Sequence, residues 1–114
     1  MQRITRFLAV ALVALLVPSV ASAQDAGGAT VSVRDNQFGP VSQQVSPGGS
    51  VTWTFDGASQ HTVTADDSSF DSGTLNQGNA FGFSFDTPGT YAYYCNIHGG
   101  PGGVGMSGTI LVAG

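Results

Sequence analysis

Tyr91-Ala-Tyr-Tyr-Cys-Asn-Ile-His-Gly-Gly-Pro-Gly-Gly-Val-Gly-Met106 is the stretch on which the reading of this 114-residue chain turns. Within twelve residues it sets a thiol, an imidazole and a thioether, at Cys95, His98 and Met106. Thr90 to Tyr94 reads as a buried strand leading into Cys95, a loop then carries His98, and a glycine-rich turn returns the chain to Met106. Soft sulfur ligands beside imidazole select copper or zinc over the hard cations, which prefer oxygen. A trigonal set of two histidines and one cysteine with a weak axial methionine is a copper arrangement, and it needs one more histidine. The chain has one other, His61.

Working outward, the remaining sequence alternates with period two. Thr30–Arg34 alternates as a half-buried strand. Asp35–Pro40 reads as a turn-rich connection with Phe38 as its apolar anchor, Val41–Val45 as extended, and Ser46-Pro-Gly-Gly49 as a turn. Ser50–Phe55 places Val51, Trp53 and Phe55 on one face, and Gln60–Thr64 sets His61 and Val63 on one face with Thr62 and Thr64 on the other. Asp66–Gly78 is polar and irregular, anchored by Phe70 and Leu75. Ala80–Phe85 aligns Phe81, Phe83 and Phe85, and Gly108–Val112 closes the chain as its last strand. Short strands separated by Pro/Gly turns predict one all-β domain, a Greek-key β-sandwich or barrel of seven or eight strands.

Residues 1–23 stand apart. Arg3 and Arg6, the apolar run Phe7–Val17 and the small residues Ala21-Ser-Ala23 form the three parts of a secretory signal peptide. The apolar run falls short of the roughly 20 residues a membrane-spanning helix requires. The expected product is an exported, periplasmic or extracellular domain, residues 24–114, with no stable membrane insertion. Without Arg3 and Arg6, Arg34 stands alone against seven aspartates, a formal charge of −6, and the chain has no lysine. Such a surface repels phosphate backbones and excludes nucleic acid as a partner. It suits a basic protein. Exported proteins usually pair their cysteines. Cys95 has no mate in the chain, and a bound metal would both occupy and protect it.

With these residues in view, the chain resembles the cupredoxins, and among them the plastocyanin-like small blue-copper proteins of bacteria and archaea. The resemblance spans residues 24–114 and rests on Pro47-Gly-Gly-Ser-Val-Thr-Trp53, Gln60-His-Thr-Val-Thr64, Phe70-Asp-Ser-Gly73, Pro88-Gly-Thr-Tyr-Ala-Tyr-Tyr-Cys95 and Cys95-Asn-Ile-His98. It implies one copper ion cycling between Cu(I) and Cu(II), held by His61, Cys95 and His98 with Met106 axial. Two departures stand out. The family's plain pattern separates the second histidine from the methionine by four residues, where this chain has the seven residues Gly99–Gly105. Thr62 also stands where many relatives place asparagine after the first histidine.

The resemblance implies a mobile, monomeric one-electron carrier that meets redox proteins, a cytochrome or an oxidoreductase, through a basic docking face on the partner. His98 would be the exposed electron port, ringed by the glycine-rich loop and Val104. Tyr93, Tyr94, Phe83 and Trp53 would form a dry shell about the site. The alternative is a copper chaperone or storage module, whose sites draw on clusters of Met or His that this chain lacks. An enzyme is not expected: a thiol nucleophile needs an oriented base and an oxyanion hole, and a multicopper oxidase needs many more histidines. The Gly99–Gly105 run lacks the lysine and the following helix of a phosphate loop. Asp66, Asp67 and Asp71 read as a solvated loop face rather than a calcium or acid–base site.

Overall fold

The computed structural model describes residues 27–114; the expected signal peptide, residues 1–23, lies outside the described residues. Eight strands follow in order: β1 (Gly28–Arg34), β2 (Gln37–Gly39), β3 (Ser42–Val45), β4 (Gly49–Phe55), β5 (Thr64–Ala65), β6 (Ala80–Phe85), β7 (Gly89–Gly100) and β8 (Val104–Val112). They form two four-stranded sheets, ordered β2-β1-β4-β6 and β3-β8-β7-β5. The chain changes sheet at every step from β2 to β7, so most pairings join segments distant in sequence. This is the all-β sandwich expected from the alternation, with eight strands.

Alternation built the core where the sequence placed it. Val51, Trp53 and Phe55 are buried on β4 while Thr52 is exposed. Val31 and Val33 on β1 join them, and Tyr93, Ile110 and Val112 cover them from the other sheet. The indole of Trp53 meets the Tyr93 ring edge-on at 5.4 Å, and Phe70 packs against Trp53, Phe83 and Phe85. Such contacts supply geometric specificity on top of buried apolar area.

Three local expectations need correction. β1 begins at Gly28 rather than Thr30, because its first residues pair in parallel with β4, Gly28 opposite Ser50. The connection Asp35–Pro40 contains β2, which folds back on β1 and buries Phe38 completely. Gln60–Thr64 does not form one alternating strand. His61 makes an isolated bridge to Leu75, regular pairing begins only at Thr64, and residues 61–65 are all buried. The alternation fails there because β7 covers one side while the Phe70–Leu75 loop covers the other, so the threonines satisfy their hydroxyls internally instead of in water.

Candidate metal centre

The β7–β8 hairpin builds half of the site through one irregularity. The strands pair regularly up to Tyr94 opposite Ser107 and resume with Gly99 opposite Gly105. Between those pairs β7 spends Cys95, Asn96, Ile97 and His98 against the lone Met106 of β8. A bulge of this kind bends its strand and re-aims side chains. Here it brings the thiol and the imidazole round to one end of the sandwich, and Met106 is buried opposite them with 3 % of its surface exposed. Beyond the bulge the hairpin continues through Gly100 opposite Val104 to a tip at Pro101-Gly102-Gly103. The loop's extra length is therefore spent on a projecting hairpin tip, and Met106 stays against the bulge.

Glycine is required at two places flanking the bulge. A Cβ on Gly99 would lie 2.6 Å from Met106 N and O, and one on Gly105 would lie 2.6 Å from the His98 carbonyl oxygen. Gly105 also has φ of 63°, where side chains are strained.

The other half comes from the segment before β5. His61 Nδ1 lies 3.7 Å from Cys95 Sγ and 3.1 Å from His98 Nδ1, and His98 Nδ1 lies 3.6 Å from the same sulfur. Bonds of about 2.0–2.3 Å to a common first-row ion, as in zinc sites, put nitrogen and sulfur donors roughly 3.3–3.8 Å apart at tetrahedral to trigonal angles. The two nitrogen–sulfur distances have that spacing, and the two imidazole nitrogens stand slightly closer, at 3.1 Å. Cys95 and His61 are fully buried, whereas His98 reaches the surface. Among the described residues this trio is the metal-capable cluster of histidine, cysteine and carboxylate side chains.

The hydrogen bonds around the trio hold it from outside. Thr62 N–H donates to Cys95 Sγ at 3.4 Å and fixes the side chain's position. Asn96 N–H donates to Thr62 Oγ1 at 2.9 Å, Thr62 and Thr64 hydroxyls meet at 2.8 Å, and Thr64 Oγ1 donates to Asp71 Oδ1 at 3.1 Å. Because Asp71 can only accept, the proton order runs one way along this chain, from Asn96 through both threonines to the carboxylate. It ties the His61 segment to the Cys95 bulge across 34 residues of sequence. Asp71 also accepts from Gly73 N–H while staying exposed, so the expected solvated aspartate carries structural hydrogen bonds as well. Asp66 accepts from Gly102 N–H and fastens the hairpin tip, while Asp67 caps its own turn through Ser69 N–H.

Asp35 was not foreseen. Its Oδ1 lies 2.9 Å from His61 Nε2, and the carboxylate also accepts from Ser59 and Ala58 N–H. These bonds, that from His61 foremost and then that from Ser59, hold the Asp35 carboxyl below its usual range. Nothing local in the sequence marks it, since Asp35 lies 26 residues before His61 in what reads as a turn. The aromatic shell is placed more clearly as core than as site: Tyr93 on β7 meets Trp53 on β4 edge-on between the sheets, and Phe83 packs on Phe70 and Phe85.

Comparison with known proteins agrees with this chemistry. Residues 26–113 match the family described as copper binding proteins, plastocyanin/azurin family. A plastocyanin from Scenedesmus fuscus is 35% identical over 86 residues, covering 66% of this chain and 85% of the relative. The structure described as a novel purple cupredoxin from Nitrosopumilus maritimus aligns with a TM-score of 0.66 at 27% identity, covering 75% of this chain and 99% of that one. An amicyanin variant, in its reduced Cu(I) form, shares the fold at a TM-score of 0.64 and 22% identity, over 75% of this chain and 81% of that one.

Proposed function

Because this chain belongs to the copper-binding plastocyanin/azurin family, we propose that it is an exported one-electron carrier whose copper is held by His61, Cys95 and His98, with Met106 as axial ligand. The observation that carries this reading is the convergence of one sulfur and two imidazole nitrogens within 3.1–3.7 Å of one another. Copper bound there would supply a couple between Cu(I) and Cu(II).

The chain's own residues account for what such a carrier needs. A soft sulfur serves one oxidation state and imidazole the other, so a mixed set accepts both. His61 is locked by burial and by Asp35, Cys95 by the Thr62 amide, and the bulge by the threonine chain. A set of ligands held this firmly has little to rearrange when charge changes. His98 is the edge that reaches solvent. Ile97 beside it and Val104 on the facing strand are among the few large apolar side chains left exposed, at 48% and 61%. We assign this rim as the docking patch for a redox protein, in an interface small enough to release quickly. The uncompensated aspartates favour a partner with a basic face. The carrier acts as a monomer, after removal of residues 1–23, outside the cytoplasm, and performs no catalysis of its own.

The test is voltammetry of the copper-loaded protein. A reversible one-electron wave that persists over repeated cycles with copper retained supports the carrier. Bound copper that gives no such wave but passes to a chelating acceptor overturns it and favours delivery or storage.

A further inference from the structure

Behind the metal centre, on the side away from Cys95 and His98, the Asp35 carboxylate reaches across from the β1–β2 turn to the ring of His61. We propose that Asp35 is a positioning residue for the copper couple: it fixes His61 with Nδ1 free to bind metal, and its negative charge favours the oxidised over the reduced ion. The inference rests on the copper reading given above.

The first part follows from hydrogen-bond roles. An ionised carboxylate only accepts, so the ring nitrogen facing it must carry the proton. With Nε2 protonated, neutral His61 has its lone pair on Nδ1, the atom facing Cys95 and His98. A histidine ligand whose other nitrogen donates to a carboxylate is both oriented and made more basic. Ser59 N–H at 3.0 Å and Ala58 N–H at 3.2 Å hold the carboxylate in turn. The His61 ring is fully buried, so no water competes for Nε2.

The second part follows from charge. Arg34 is the one cationic side chain of Lys or Arg type among the described residues, and its guanidinium turns to Ser32 Oγ instead. Among the described residues Asp35 pairs with no Lys or Arg, and its side-chain partner is the His61 ring. Its charge therefore acts on the site without a permanent counterion, through one imidazole. Cu(II) carries one more positive charge than Cu(I), so a fixed anion stabilises it more. The Asp35 side chain is 45% exposed, and water screens part of the effect.

The experiment compares the midpoint potential and visible spectrum of copper-loaded wild-type protein with Asp35→Asn and Asp35→Ala. The Asn variant offers a neutral amide oxygen to Nε2–H, so the thiolate-to-copper absorption should persist while the potential rises. We expect a shift of roughly tenfold in the oxidised-to-reduced ratio, about 59 mV for one electron. The Ala variant, which also loses the acceptor, should in addition bind copper several-fold more weakly. An unchanged potential in Asp35→Asn, even with lowered thermal stability, would overturn the electrostatic role. Nitrogen-15 NMR of the metal-free wild-type protein reads the tautomer without any variant or metal: a proton on Nε2 supports the positioning role, and a proton on Nδ1 refutes it. Absence of any redox wave in the wild type would instead count against the carrier reading, a result distinct from either.

Discussion

Replacing Thr62 by valine removes one hydroxyl from the centre of the chain that joins the two halves of the site. Valine matches threonine in shape, so the side chain, fully buried here, leaves no cavity. What is lost is the acceptor for Asn96 N–H at 2.9 Å and the contact with Thr64 Oγ1 at 2.8 Å. Each such bond contributes about 0.5–1.5 kcal/mol net. Thr64 keeps its bond to Asp71, so the damage stops there. The expected loss is about 2 kcal/mol. For a domain of this size each kcal/mol moves the melting temperature by about 4–8 °C, so thermal unfolding of the metal-free protein should shift down by about 8–16 °C. Thr62→Ser, which retains the hydroxyl, should fall by less than half as much. Because the lost bonds tie Cys95's bulge to His61's segment, copper affinity should drop in Thr62→Val as well. A melting temperature within 2 °C of wild type would refute the argument that this hydroxyl couples the ligand-bearing segments.

The predictions from the hairpin and the core are of different kinds. Gly105→Ala combines a 2.6 Å overlap with the His98 carbonyl and a φ of 63°, and should cost about 2–4 kcal/mol by denaturant midpoint. Gly102→Ala, with an open environment and φ of 85°, should cost only about 1–2 kcal/mol, and equal losses would contradict the packing account. Burial pushes the Tyr93 phenol up from 10.0 to about 12, with the nearby Trp53 indole opposing it weakly. Because the folded value is the higher one, this contribution is fully present below pH 10 and is lost as pH rises towards 12. About two pH units correspond to about 2–3 kcal/mol. Stability measured from pH 9 to 12 should fall more steeply in wild type than in Tyr93→Phe, and parallel curves would contradict the assignment.

Much of this architecture can be read from residue order, and the places where it cannot have physical causes. Period-two alternation marks a strand when one face meets water, as on β4, where Thr52 is exposed between buried Val51 and Trp53. It misleads at Gln60–Thr64, where both faces are covered and the polar side chains bond to one another. The cluster Cys95, His98 and Met106 is legible because one hairpin carries all three, and His61 because no other histidine was available. What the seven-residue spacing to Met106 means is not legible. Only the register shows that the extra residues project as a hairpin tip beyond the bulge. Asp35 and Asp71 look like turn residues in sequence, yet one meets His61 and the other ends the threonine chain. Their partners are brought to them by sheet crossings, which local pattern does not encode.

The most direct test of the central claim is the visible absorption spectrum of the protein titrated with copper(II), recorded beside that of Cys95→Ser. A site built from Cys95, His61 and His98 predicts an intense thiolate-to-copper band that saturates at one ion per chain. That band should bleach with ascorbate, return with ferricyanide, and be absent from the variant. A wild-type protein that binds copper without such a band, or a variant that keeps it, would contradict the claim that Cys95 holds the metal.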